Sequence, residues 1–102
     1  MRLTERDPHW VSESVTRHGQ AMGFECPCKV CMKSANPLRL SVPFANPLDG
    51  GTPVKGFNTS GFLWHREGET FETITVSPSV DASGFGHWHG VITNGELVGG
   101  LD

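Results

Sequence analysis

The chain has 102 residues, with 13 glycines, seven prolines, six phenylalanines, three tryptophans, no tyrosine and a formal net charge of −3. A domain of this length buries only about two-thirds of the surface its unfolded chain exposes, which excludes a thick core and calls for a staple: a disulfide, a metal or a second copy. The acidic balance argues against a broad electrostatic grip on nucleic acid. With neither a leader-like start nor an apolar run of membrane-spanning length, a protein of the reducing cytoplasm is expected.

The opening segment RDPHWVSESVTRHG offers Asp7 as a cap, Pro8 at a first helical position and Gly19 as a stop, which predicts a short N-terminal helix. Trp10, Ser12, Ser14 and Thr16 alternate with Val11, Glu13 and Val15, so an extended arm is the competing expectation. Residues 1–19 form this arm or helix, and residues 20–99 the core of a single domain. Arg2, Arg6 and Arg17 set a local basic patch near the same end.

QAMGFE reads as a strand running straight into CPCKVC, where Pro27 withholds a backbone donor and turns the chain into a knuckle-like loop. LRLSVPF alternates Leu38, Leu40 and Val42 with Arg39 and Ser41, the pattern of a half-buried strand that ends near Pro43. Residues 45–61 carry too many glycines and prolines for a regular element, and loops of this length are usually functional or mobile. Two strands follow, Phe62–His65 and Phe71–Val76, with REGE turning between them and SPSVD marking a strand exit closed by Ser79 or Asp81. Asn94-Gly95 between Val91–Ile92 and Leu97–Val98 is the strongest hairpin signal, because a type I′ turn needs positive φ at both central residues. The expected fold is therefore mainly β, a small antiparallel sheet with long loops, stapled by zinc, with a short N-terminal helix.

All three cysteines lie in CPCKVC, too close together to close a useful disulfide loop, and an odd number cannot pair within the chain. Zinc favours thiolate and imidazole ligands in a tetrahedron assembled from two short-range clusters. Cys28 and Cys31 have zinc-knuckle spacing, and Cys26 adds a third thiolate. The second cluster is GHWHG, where His87 and His89 stand two apart at the start of an expected strand, so the pleat sends both imidazoles to one face and Trp88 to the other. Five candidates, Cys26, Cys28, Cys31, His87 and His89, compete for four places, giving Cys₂His₂ or Cys₃His. The bland alternative is three free cysteines and surface histidines. His65 reads as a strand-edge residue, His9 and His18 as solvated, and Asp49 as a turn residue.

FECPC at 24–28, LSVPFANPLDGG at 40–51, GETFETITVSPSVD at 68–81 and GHWHGVITNGEL at 86–97 together resemble a family of small uncharacterised proteins from tailed phages and prophages. Some members close with Cys-x-x-His, where this chain has Gly86 and His89. The resemblance covers residues 20–98 and implies a viral origin, a host-cell cytoplasmic location and a zinc-stapled β fold.

The functional expectation is a non-enzymatic zinc-binding phage protein that acts through a protein partner of the host or phage, or through its own copy as a homo-oligomer, to inhibit or modulate a host system. Trp10, Trp64 and Trp88 are the candidate partner-binding residues, since interfaces are enriched in tryptophan; their alternative role is core packing. A zinc-dependent hydrolase using His87 and His89 with Glu72 or Asp81 as general base is the second expectation. A thiolate nucleophile at Cys28 activated by His89 is a further variant. A zinc-knuckle nucleic-acid binder is the third class, weakened by the negative charge.

Overall fold

The computed structural model describes residues 1–53 and 62–99. The chain folds mainly as β-structure, in two antiparallel sheets. The first contains β1 (His9–Val11), β2 (Ala21–Glu25) and β3 (Arg39–Pro43), in the order β1-β2-β3. The second contains β4 (His65–Glu67), β5 (Thr75–Asp81), β6 (His89–Thr93) and β7 (Glu96–Val98), in chain order. One short helix, α1 (Lys29–Met32), occupies the knuckle, and two 3-10 turns span Leu3–Arg6 and Ser83–Phe85. No helix among the described residues is long and apolar enough to cross a membrane.

The expected N-terminal helix is replaced by the 3-10 turn and β1. Asp7 closes the turn with φ 48° instead of capping a helix that starts after it. Starting an isolated helix costs entropy that few bonds return. Here the segment gains more as a strand, with Trp10 facing Met22 across the ladder and its indole stacked on Phe71 at 4.2 Å. Arg6 is buried just ahead of it and donates to the Cys26 carbonyl at 2.8 Å, so this turn is fastened to the start of the knuckle.

β2 and β3 fall where the apolar runs predict them, in a continuous register from Ala21↔Pro43 to Glu25↔Arg39. The later strands are displaced. Residues 71–73 form a turn, with the Thr73 and Ile74 amides bonded to the Thr70 carbonyl, so the strand expected at Phe71–Val76 begins only at Thr75. It then continues through Ser77-Pro78 to Asp81, absorbing the anticipated exit SPSVD. Pro78 is tolerated because neither neighbour pairs with it: β4 pairs with β5 only as far as Ser77, and the β6 register is interrupted between Val76 and Val80. Likewise β4 starts at His65, after Trp64 has formed a parallel bridge to Phe44 that links the two sheets. Of the loop expected at 45–61, residues 54–61 lie outside the described residues.

The β6–β7 hairpin forms as expected. Asn94 and Gly95 adopt φ 47° and 75°, and Thr93↔Glu96, Ile92↔Leu97 and Val91↔Val98 pair beside them. Along β6 the burial alternates, with Gly90 and Ile92 inward and His89, Val91 and Thr93 outward. Gly90 is required because a Cβ there would run into the Trp88 ring and the Val98 carbonyl.

One buried cluster draws on both sheets, with Met22, Phe24, Leu40 and Val42 from the first, Val76, Val80, Ile92 and Leu97 from the second, and Phe44 and Ile74 from the residues beside β3 and β5. The same cluster includes Cys26 and Cys31, which places the knuckle at an end of the core.

Candidate metal centre

The site starts where β2 runs out. Cys26 is fully buried, its amide bonded to the Leu38 carbonyl at 2.8 Å and its carbonyl held by Arg6. After Pro27, Cys28 has extended backbone (φ −66°, ψ 160°) and caps α1, its sulfur accepting the Cys31 amide at 3.4 Å. That single turn brings Cys31 back inward, to 4% exposure, while Lys29 and Val30 point out.

The fourth group comes from the other sheet. After β5, the turn Ser83–Phe85 ends at Gly86 with φ 76°, and the His87 amide bonds to the Ala82 carbonyl. This carries the imidazole to the knuckle, with Nδ1 lying 3.6 Å from Cys28 Sγ and 3.5 Å from Cys31 Sγ. Trp88 packs edge-on against Phe24 of β2, at 6.1 Å and 84°, and so braces the two contributing segments against each other.

The ligand atoms of Cys26, Cys28, Cys31 and His87 all lie within 4.8 Å of one another, close enough to hold a metal ion. For zinc, bond lengths of about 2.3 Å to sulfur and about 2.0–2.1 Å to nitrogen put tetrahedral S···N edges at about 3.6 Å. The separations of His87 Nδ1 from the Cys28 and Cys31 sulfurs, 3.6 and 3.5 Å, match that edge. None of the three cysteines is in a disulfide.

The thiols differ sharply in their environment. Burial pushes Cys26 up to about 11. Burial also acts to raise Cys28, but hydrogen bonds from the Cys31 amide and His87, with smaller ones from the neighbouring thiols, outweigh it and hold Cys28 at about 6. A positive ion at the centre of the group would favour the thiolate at all three.

His89 is not brought into this cluster: of the five candidates that the sequence left competing for four places, the three cysteines and His87 are the ones that gather. The pleat governs side-chain direction only inside a strand, and β6 begins at His89, with His87 still in the approach to it. His89 therefore points outward, its side chain 53% exposed, with Nε2 3.4 Å from Ser79 Oγ and Nδ1 4.0 Å from Asp81. Asp81 accepts hydrogen bonds from the Ser83 amide and hydroxyl, and that bonding keeps its carboxyl below the usual range. Glu72 is exposed in the turn before β5. Neither carboxylate belongs to the four-ligand group.

Of the three candidate partner-binding tryptophans, Trp88 and Trp64 are buried and Trp10 is partly buried against the core, the placement of the alternative core-packing role. Their surface is spent on internal contacts, including indole bonds from Trp88 to the Gly99 carbonyl and from Trp64 to the Ser79 carbonyl. The exposed large apolar groups among the described residues are Val15, Val30, Met32, Leu38, Phe62, Phe85, Val91 and Val98. A cavity of about 830 Å³ opens beside the cluster, lined by Leu38, Phe62, Trp64, Val80, Phe85 and His87 among others. The sequence reading missed Phe62 and Phe85; the signal for Phe85 was its glycine neighbours, Gly84 and Gly86, which suit an exposed turn.

Comparison with family models, with curated proteins and with solved structures finds no match for this chain. The site stands on its geometry.

Proposed function

We propose that this is a zinc-binding protein in which Cys26, Cys28, Cys31 and His87 hold a structural ion, and that it works by binding a protein partner. The observation that carries the zinc reading is the arrangement of three thiols and one imidazole nitrogen at tetrahedral spacing. Four protein donors fill a tetrahedron and leave no position for water or substrate, the mark of a structural zinc site. The ion joins the knuckle of one sheet to the β5–β6 connection of the other, a cross-link suited to a small core.

The binding part of the reading is supported by the exposed apolar groups around the cavity, Leu38, Phe62 and Phe85, because contiguous exposed apolar surface marks interaction sites. On the resemblance to tailed-phage proteins, the partner is a protein of the host or phage and the outcome is modulation of a host system.

Cobalt substitution tests the closed site. Protein made without an affinity tag and loaded with Co²⁺ is expected to take up one ion and show the intense visible bands of a tetrahedral thiolate complex, unchanged by added azide. Bands that shift with azide would reveal an open position and favour a metal-dependent hydrolase.

A further inference from the structure

The three thiols of the knuckle are unequally accessible. Cys26 is fully buried and Cys31 is 4% exposed, whereas Cys28 is half-buried at the surface of the turn. Any reagent that approaches the cluster meets Cys28 first.

Which partner Cys28 can reach is a matter of backbone geometry. Side chains three apart on a helical turn have Cβ atoms about 5–6 Å apart, so a small closure brings them to the roughly 3.5–4.5 Å of a disulfide. Cys28 and Cys31 have this relation, with the Cys31 amide bonded to the Cys28 sulfur and both sulfurs against the same His87 nitrogen. Cys26 and Cys28 are separated only by Pro27, whose ring restricts φ. An extended span of two residues covers about 6.6–7.2 Å, a range that straddles the outer Cα limit of about 6.8 Å and lies well beyond the usual spacing of about 5.5–6 Å for a disulfide.

We propose that Cys28 and Cys31 form a reversible oxidation site, at which an oxidant of the peroxide class converts the pair to a disulfide and so dismantles the metal centre. This rests on the metal-binding reading above. The Cys28 thiolate attacks one peroxide oxygen, the O–O bond breaks, and hydroxide leaves with the bonding pair, giving a sulfenic acid. The Cys31 sulfur attacks the Cys28 sulfur, the S–O bond breaks, and a second hydroxide leaves. Two thiolates together lose two electrons to one peroxide, and two protons from solvent convert the hydroxides to water. Cys26 and His87 are then the only donors left of the four. A thiol reductant restores the pair by exchange.

The test treats reduced, zinc-loaded protein with a small molar excess of hydrogen peroxide while following released zinc with a chromogenic chelator. Free thiols are counted and alkylated, and cleavage at Lys29, which parts Cys26 and Cys28 from Cys31, is followed by fragmentation of the joined peptides to show which of Cys26 and Cys28 carries the alkyl group. Free thiols are expected to fall from three to one, with zinc released in parallel, the Cys28–Cys31 bond recovered and zinc binding restored by reductant. Retention of all three thiols, a disulfide that includes Cys26, or a bond between chains would overturn the proposal.

Mapping on metal-free protein separates the two readings. If the reduced protein takes up no zinc, the metal-binding reading fails, while the identity of the disulfide still decides the pairing. If zinc binds but the pair resists peroxide, the oxidation site fails alone. The variant Cys26→Ser, which keeps the pair, is expected to go from two free thiols to none.

Discussion

The knuckle and the β6–β7 hairpin are both short, and each is held in a different way. In the hairpin, Asn94 and Gly95 supply the left-handed turn, Ile92 and Leu97 face each other in the core, and Leu3 and Gly95 join it to the N-terminus by a backbone bond. Most of its determinants are local patterns or main-chain bonds, with a Thr75 hydroxyl accepting the Asn94 amide and Arg2 paired with Glu96 beside them. In the knuckle, α1 has four residues, far below the length at which an isolated helix persists, and Val30 and Met32 are 74% and 44% exposed. Little apolar burial holds it apart from the cysteines, so its order depends on what those thiols bind. One region is specified by its own residues, whereas in the other the three thiols and the His87 nitrogen lie close enough to hold a metal ion.

The largest effect should come from removing that ion. Cys31→Ala, or a strong chelator on the wild type, is expected to abolish zinc binding and expose the amides of residues 26–36 to rapid hydrogen exchange, while those of the β6–β7 hairpin exchange much later. Equal loss of protection in both regions would break the comparison and make the ion the organiser of the whole fold.

The hairpin has its own weak point. Gly95→Ala places a side chain at φ 75° and against the Glu72 carbonyl, so denaturant unfolding of the zinc-loaded protein should show a loss of about 1–3 kcal/mol. Zinc content should stay the same. A variant of full stability would mean that the turn does not set the register.

A smaller effect is expected where Arg17 and Asp49 join the loop after β3 to the segment after β1. The Arg17 guanidinium beside Asp49 holds its carboxyl well below the usual carboxylate range. A depressed pKa in the folded state contributes stability above the ordinary carboxylate pKa of about 3.9 and loses it as the pH falls further. Asp49→Asn should therefore be less stable than wild type near neutral pH, with the difference vanishing in strong acid and shrinking in high salt. A difference that grows toward acid would contradict the sign. Because acid also protonates thiolates, the comparison is of the two proteins at equal zinc saturation.

The smallest change belongs to the outer face of β6. His89→Ala is expected to shift stability by less than about 0.5 kcal/mol and to leave the zinc stoichiometry intact, as measured by metal analysis after dialysis. Loss of zinc in this variant would return His89 to the ligand set.

The contrast between the two regions also explains what could be read beforehand. The hairpin, β2 and β3 were legible because their signals are short in range: a turn dipeptide, a period of two, a proline at a strand end. The knuckle cysteines were legible by spacing. The choice between His87 and His89 was not, because it turns on where β6 begins, and that depends on the Ser83–Phe85 turn and on the bonds that Ala82 makes to His87 and Trp88. Phe71 fits a strand pattern equally well, yet its segment is captured by the Thr70 turn and its ring by Trp10. The burial of Trp64 and Trp88 likewise arises from contacts with residues distant in the chain, which composition alone does not reveal.

X-ray absorption at the zinc edge of the fully loaded, reduced protein tests the central claim most directly. Three sulfurs at about 2.3 Å and one nitrogen at about 2.0–2.1 Å are predicted, with one ion per chain. Two sulfurs with two nitrogens, an added oxygen shell, or binding well below one ion per chain would contradict it.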